Sequence, residues 1–143
     1  MTTSSSSLRD VLPLGARLLM AAVFIVSGIG KLDAPAATVR YFASFGVPAP
    51  IVLLIVAMLL ELSCGLLLIV GYRTRVVALV LAAYSVATAV VFNHAFGDPN
   101  QMIHFVKNLA IAGGLLAFVA NGAGAFSIDN RLSRFAARAM YVA

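Results

Sequence analysis

Long apolar runs separated by short polar breaks set the pattern of this chain. The runs, at about residues 11–30, 51–70, 76–96 and 102–121, are interrupted only by isolated polar residues. Each reaches the roughly 20 residues that carry an α-helix across a bilayer. In the first break, Asp33 is placed to cap a short helix beginning near Pro35, and Gly46, Pro48 and Pro50 end it. Val39, Phe42 and Phe45 share one side of that helix, which predicts a segment lying on the membrane surface. The turn from Gly71 to Arg75 is short enough to make spans two and three an antiparallel hairpin. Gly97, Asp98 and Pro99 then supply a break, an N-cap and a proline at the first helical position. Residues 1–10 begin with a Ser/Thr-rich stretch and are expected to form a disordered tail. In residues 126–143, Arg131, Arg134 and Arg138 recur at helical spacing beside Leu132, Phe135 and Ala139, the pattern of an amphipathic interfacial helix. The predicted fold is all-α: an integral membrane four-helix bundle, residues 11–125, with short interfacial helices.

Composition agrees. With 62% hydrophobic and 10% charged residues, lipid is the natural solvent, and a soluble enzyme is excluded. The net charge of +5 comes from basic residues spread singly at span ends, with no aromatic-basic surface, so nucleic acid is not an expected partner. Arg9, Arg73, Arg75, Arg131, Arg134 and Arg138 fall on one side, against Lys31, Arg40 and Lys107 on the other. The positive-inside rule makes both termini cytoplasmic and turns the connections around Asp33 and Asp98 outward. Arg17 inside the first run argues against reading that run as a signal peptide. Cys64 is the sole cysteine, which excludes an internal disulfide, a Cys-x-x-Cys redox pair and a cysteine-based zinc site.

Ionisable residues at membrane depth cost roughly 2.5 to 3.5 kcal/mol on insertion scales, so each is a functional candidate. Glu61 falls near the middle of span two, and Arg17 about one turn nearer the cytoplasm by the rise of about 1.5 Å per residue. An Arg17–Glu61 structural ion pair is therefore expected to fix helix register. An unpaired Glu61 would instead be protonated and could relay protons, with His94 at the outer end of span three. On the fourth helix Gln101, His104 and Asn108 follow helical spacing with Lys107 beside them, a polar stripe that faces Lys31 and His94. These residues predict an outer-half pocket, filled by water or ligand and lined by Phe96 and Phe105. Lys31 and His104 suit the headgroup region equally well; Lys107 and Asn108, a turn deeper, favour a site. His94 and His104 lack metal-ligand spacing, and no metal site is expected.

Several of these residues form an ordered set. It comprises Arg17, Phe24 and Ser27 to Leu32; Phe45 to Pro48; Glu61 with Gly65; Gly71 to Arg75; His94 and Phe96; and Phe105 to Ala110 with Gly113 and Gly114. This set resembles the DoxX family of small four-span bacterial membrane proteins. The resemblance implies a bundle in the bacterial cytoplasmic (inner) membrane, serving as a subunit of a membrane oxidoreductase complex or of an oxidative-stress assembly. Nothing in the chain specifies thiosulfate, a substrate linked to some members. The branch that matures amine dehydrogenases is expected to use cysteine pairs, which are lacking here. Two readings follow. In the first, a redox-linked subunit binds a quinone in the outer pocket, His94, Lys107 or Asn108 donates to its carbonyls, Glu61 moves protons, and a partner redox protein supplies electrons. In the second, a non-catalytic lipid-binding or scaffold subunit works within a larger complex or homo-oligomer. Quinone is the one candidate cofactor, and the residues leave open whether the chain is catalytic.

Overall fold

The computed structural model describes residues 3–142. Six helices follow one another: α1 Thr3–Asp33, α2 Pro35–Ser44, α3 Pro50–Val70, α4 Thr74–Phe92, α5 Pro99–Asn121 and α6 Ile128–Val142. Of these α1, α3, α4 and α5 are long and apolar enough to cross a membrane. Proline opens α2, α3 and α5, where its missing N–H costs nothing and its fixed φ suits the first turn. Asp98 caps α5 by accepting from the Asn100 N–H at 2.9 Å, as its position predicts. Asp33 does not cap α2. It is the last residue of α1, and Ala34 takes the cap position without a side-chain bond.

α1 also runs back through most of the segment expected to be disordered. Once the apolar run has nucleated a helix, each added residue costs only the propagation step, which polar residues tolerate. The third span ends at Phe92, short of the expected Phe96, and α5 begins at Pro99, the first helical position its proline indicates.

The strongest packing joins α1 to α3 and α4 to α5; the α3–α4 hairpin connects the two pairs, and α5 closes weakly on α1. Glycines set the α1–α3 approach. A Cβ on Gly28 would lie 2.8 Å from Leu62, and one on Gly65 would lie 2.8 Å from Ile25. The core gathers Ala21, Phe24, Leu68, Val77, Ala78, Leu81, Ala82, Ala112, Leu115 and Phe118. Outward-facing Leu19, Val26, Leu59 and Ile103 stay exposed, as a lipid-facing surface requires. α2 does more than lie on the surface, because Phe42 is buried against Leu54 and Phe92, with Val39 and Phe45 beside it.

Arg17 overturns one expectation. Its fully buried guanidinium lies far from Glu61 and donates to three backbone carbonyls: Ala123 at 2.8 Å, Phe126 at 2.6 Å and Ile69 at 3.5 Å. The register explains the error. Glu61 sits beside Gly28, 11 residues along α1 from Arg17, or about 16 Å away along the helix axis. Arg17 therefore works at the end of the bundle, on carbonyls left without partners where helices stop. Gly71, in the left-handed region at φ 69°, keeps room for it, since a Cβ there would collide with the guanidinium. Beside it, both Asp129 carboxylate oxygens accept from the first N–H groups of α4, Arg73 at 2.7 Å and Thr74 at 2.8 Å. α6 is thus tied to the α3–α4 turn through its own first helical turn.

Arg17→Met should lower stability by about 3 kcal/mol, since it strips the charged donor from carbonyls that stay buried. Thermal unfolding in detergent should show that loss, and the unfolding midpoint of Arg9→Met, at an exposed position, should stay near wild type.

Candidate functional site

A carboxylate in the middle of α3 needs donors around it, and two other helices supply them. Glu61 is buried, and its side chain meets Lys31 from α1 in an ion pair, with Nζ 2.8 Å from Oε2 and 2.9 Å from Oε1. Ser27, one turn before Lys31, donates to Oε1 at 3.1 Å, and Tyr84 of α4 donates to the same oxygen at 2.7 Å. Lys31 also donates to the Ser27 hydroxyl at 2.8 Å, so ammonium, hydroxyl and carboxylate form a closed set. Such a set answers the desolvation of a buried charge pair, which is tolerated only when the remaining lone pairs and protons find partners. Gly28 makes the arrangement possible: placed beside Glu61, it lets α1 come close enough for Ser27 and Lys31 to reach the carboxylate.

This set forms the floor of a cavity of about 500 Å³, within the range of roughly 300 to 1,000 Å³ usual for small-molecule sites. Phe24, Phe42, Phe92 and Tyr41 give it aromatic walls, and Ser85, Thr88 and Asn93 add polar groups from the α4 side. α5 contributes His104, Lys107, Asn108 and Ile111 at the rim. Lys107 Nζ lies 3.0 Å from His104 Nδ1, and both residues are exposed. Tyr41 belongs to α2, outside the spans; partial burial raises its phenol above the ordinary value.

The structure brings together Lys31, Glu61, His104, Lys107 and Asn108 around one cavity. It leaves out Gln101 and His94. His94 is exposed past the end of α4, with Nδ1 3.1 Å from the Val91 carbonyl and its ring edge-on to Phe45, so no relay from Glu61 to His94 is assembled. Because α4 stops at Phe92, His94 turns out of the bundle instead of continuing along its inner face. Phe96 and Phe105, expected as walls, pack on each other away from the cavity. Tyr84, Ser27 and Thr88 were missed. Their signal was weak but real: a tyrosine and a threonine one turn apart in an otherwise apolar span, and a serine one turn before the lysine.

Breaking the pair on one side should cost about 3 to 5 kcal/mol, because it strands a buried charge. In detergent, Lys31→Met should unfold well below wild type, and Lys31→Met/Glu61→Gln should recover part of the loss. Tyr84→Phe, which removes one hydrogen bond to a charged acceptor, should cost about 2 kcal/mol in the same assay.

Comparison with known proteins agrees with this architecture. The DoxX family profile matches residues 12–94, more than half of the chain and the stretch that holds Ser27, Lys31, Glu61 and Tyr84. Inner membrane protein YqjF of Escherichia coli (strain K12) is 39% identical over 127 residues, covering 89% of this chain and 96% of the relative. Inner membrane protein YphA of the same organism is 39% identical over 129 residues, covering 86% of this chain and 91% of its own length. No solved structure matches. With four spanning helices, the profile across the first three of them and relatives aligned over nearly their whole length, this chain is a membrane protein of the DoxX family.

Proposed function

We propose that the chain binds an amphipathic, membrane-soluble molecule, with a quinone as the best-suited head group, in the cavity above the Lys31–Glu61 pair, and that it serves as a redox-linked membrane subunit. The observation that carries this reading is the combination of a polar, charged floor with aromatic walls and a side entrance. α2 covers the cavity at one end through Thr38, Tyr41 and Phe42. α1 and α5, which pack only sparsely, flank it at Val23, Val26, Lys107 and Ile111, with Val26 70% exposed. Lower down the two helices do meet, Met20 lying against Gly114. A ligand entering between α1 and α5 comes from the bilayer, which suits a lipid-soluble compound.

The donors of Lys31 are committed to Ser27 and Glu61, so the ligand's carbonyl oxygens would be met by Lys107, Asn108 and the Thr88 or Ser85 hydroxyls. Reduction of a quinone takes up two electrons and two protons. The electrons would come from a partner redox protein, and the Tyr84–Glu61 hydrogen bond offers a proton path at the floor. The inner membrane in the names of YqjF and YphA supports the same location for this chain. The gathering of Arg73, Arg75 and the α6 arginines at one end of the bundle supports cytoplasmic termini.

One observation favours a second reading, a non-catalytic lipid-binding or scaffold subunit. Both Glu61 oxygens already have donors within the chain, as a purely structural pair requires.

Mass spectrometry of small molecules extracted from the purified protein separates the two. Stoichiometric quinone is expected, falling about tenfold in Lys107→Ala through loss of a charged hydrogen bond. It should also fall in Val26→Trp, which obstructs the side entrance without touching the floor. Bulk phospholipid alone, in wild type and variants equally, would leave the scaffold reading.

A further inference from the structure

The opposite end of the bundle holds a second cavity, of about 720 Å³, between the α3–α4 turn and the segment that joins α5 to α6. Arg73 and Arg75 line it, together with Asn121, Asn130 and Ser133. Helix α4 starts here, but the anion position at its N-terminus is already filled by the Asp129 carboxylate, whose two oxygens are held by the Arg73 and Thr74 N–H groups. That leaves both guanidinium groups without a carboxylate: among the described residues the one ion pair is Lys31–Glu61, at the far site. The neighbouring side-chain donors are spent internally. Asn121 donates to the Ala117 carbonyl, Asn130 to that of Ala125, and Ser133 to that of Asn130. The cavity therefore presents two guanidinium groups against the single Asp129 carboxylate, which is held by backbone N–H groups, and so carries a net positive charge.

Its depth is fixed by its surroundings. Val76 lines the cavity and is exposed along the lipid-facing side of α4, while Leu132 and Phe135 of α6 are exposed beside the exposed arginines Arg131, Arg134 and Arg138. An amphipathic helix with that distribution lies at the membrane–water boundary, which puts the cavity at the level of lipid head groups.

We propose that this cavity binds the phosphate of an anionic phospholipid, with Arg73 and Arg75 as its ligands and the acyl chains running down past Val76. Guanidinium groups suit phosphate because their planar forks donate two parallel bonds, and basic pockets at this depth select anionic head groups. A zwitterionic lipid brings its own ammonium, which the net positive charge of the cavity disfavours.

The test is native mass spectrometry of the full-length protein in detergent, titrated with phosphatidylglycerol or with phosphatidylcholine of the same acyl chains. Phosphatidylglycerol should be retained preferentially, and Arg73→Gln/Arg75→Gln should reduce that retention on the order of tenfold, the size expected for two cations near a membrane surface. Arg134→Gln/Arg138→Gln, which removes charge from α6 outside the cavity, should leave it near wild type. Equal retention of both lipids would overturn the proposal. An equal loss in the α6 variant would overturn it too, by assigning the effect to the general surface field. Displacement of the lipid by millimolar inorganic phosphate would show a free-phosphate site instead. Elution of the cavity variant as a monodisperse species, with the wild-type unfolding midpoint, ties a loss of lipid to the site and not to the fold.

Discussion

A carboxylate at mid-membrane depth has to be answered by donors from the protein, because lipid offers none. The Lys31–Glu61 pair meets that requirement here, and much of the architecture follows from it. Lys31 and Ser27 sit one turn apart on α1, Glu61 at the centre of α3 and Tyr84 in α4, so a single side chain fixes three helices in register and in rotation. Slipping α1 by one turn would carry Ser27 and Lys31 past the carboxylate and set bulkier neighbours in place of Gly28 against Leu62. Packing by small residues and pairing by charge therefore specify the same alignment. That agreement between levels marks a sequence with one well-defined structure.

The second buried charge is handled by a different rule. Among the described residues Arg17 has no carboxylate within bonding distance; its two terminal nitrogens donate to carbonyl oxygens at and just beyond helix ends, where backbone dipoles leave negative partial charge, and only Nε is left without a partner. Asp129 does the converse, placing a carboxylate on the N–H groups that begin α4. The two residues are complementary devices at one end of the bundle. Both act on backbone groups left without helical partners, and together they fasten the α5–α6 segment and the α3–α4 turn. This end ties its elements together through backbone groups, whereas the Glu61 end does so through side chains alone.

The division of the chain into spans was readable because apolar run length and proline position are local signals. Pro35 and Pro99 each open a helix where the sequence places them, and Pro50, read as ending the short helix, opens α3. The partner of Glu61 was not readable. Counting residues gives a position along each helix axis but not the offset of one helix from its neighbour, and that offset decides between the arginine and lysine alternatives on α1. Arg17 and Lys31 lie 14 positions apart on one helix, and only the Gly28 contact decides which of them meets Glu61. His94 failed for a related reason. Its role depended on α4 continuing to Phe96, and a helix end displaced by four residues turns a side chain out of the bundle. Lys107, Asn108 and His104 were legible because their stripe on α5 depends only on helical periodicity.

The seam between α1 and α5 carries the last step. Met20 against Gly114 shows that these two helices can approach closely, and a bundle built only for stability would continue that contact along their length. Above this point small residues give way to Val23 and Val26 on one side and to Lys107, Asn108 and Ile111 on the other, and the helices enclose space instead of touching. A gap in the outer shell of a bundle forfeits dispersion contacts along its whole lining. It also sits directly over an expensive pair at membrane depth, a partly buried lysine and a buried glutamate. A four-helix bundle gains nothing structurally by opening its wall at the place where its charges are least protected. The opening fits the proposed ligand, a molecule with a polar head for the charged floor and an apolar body for the seam.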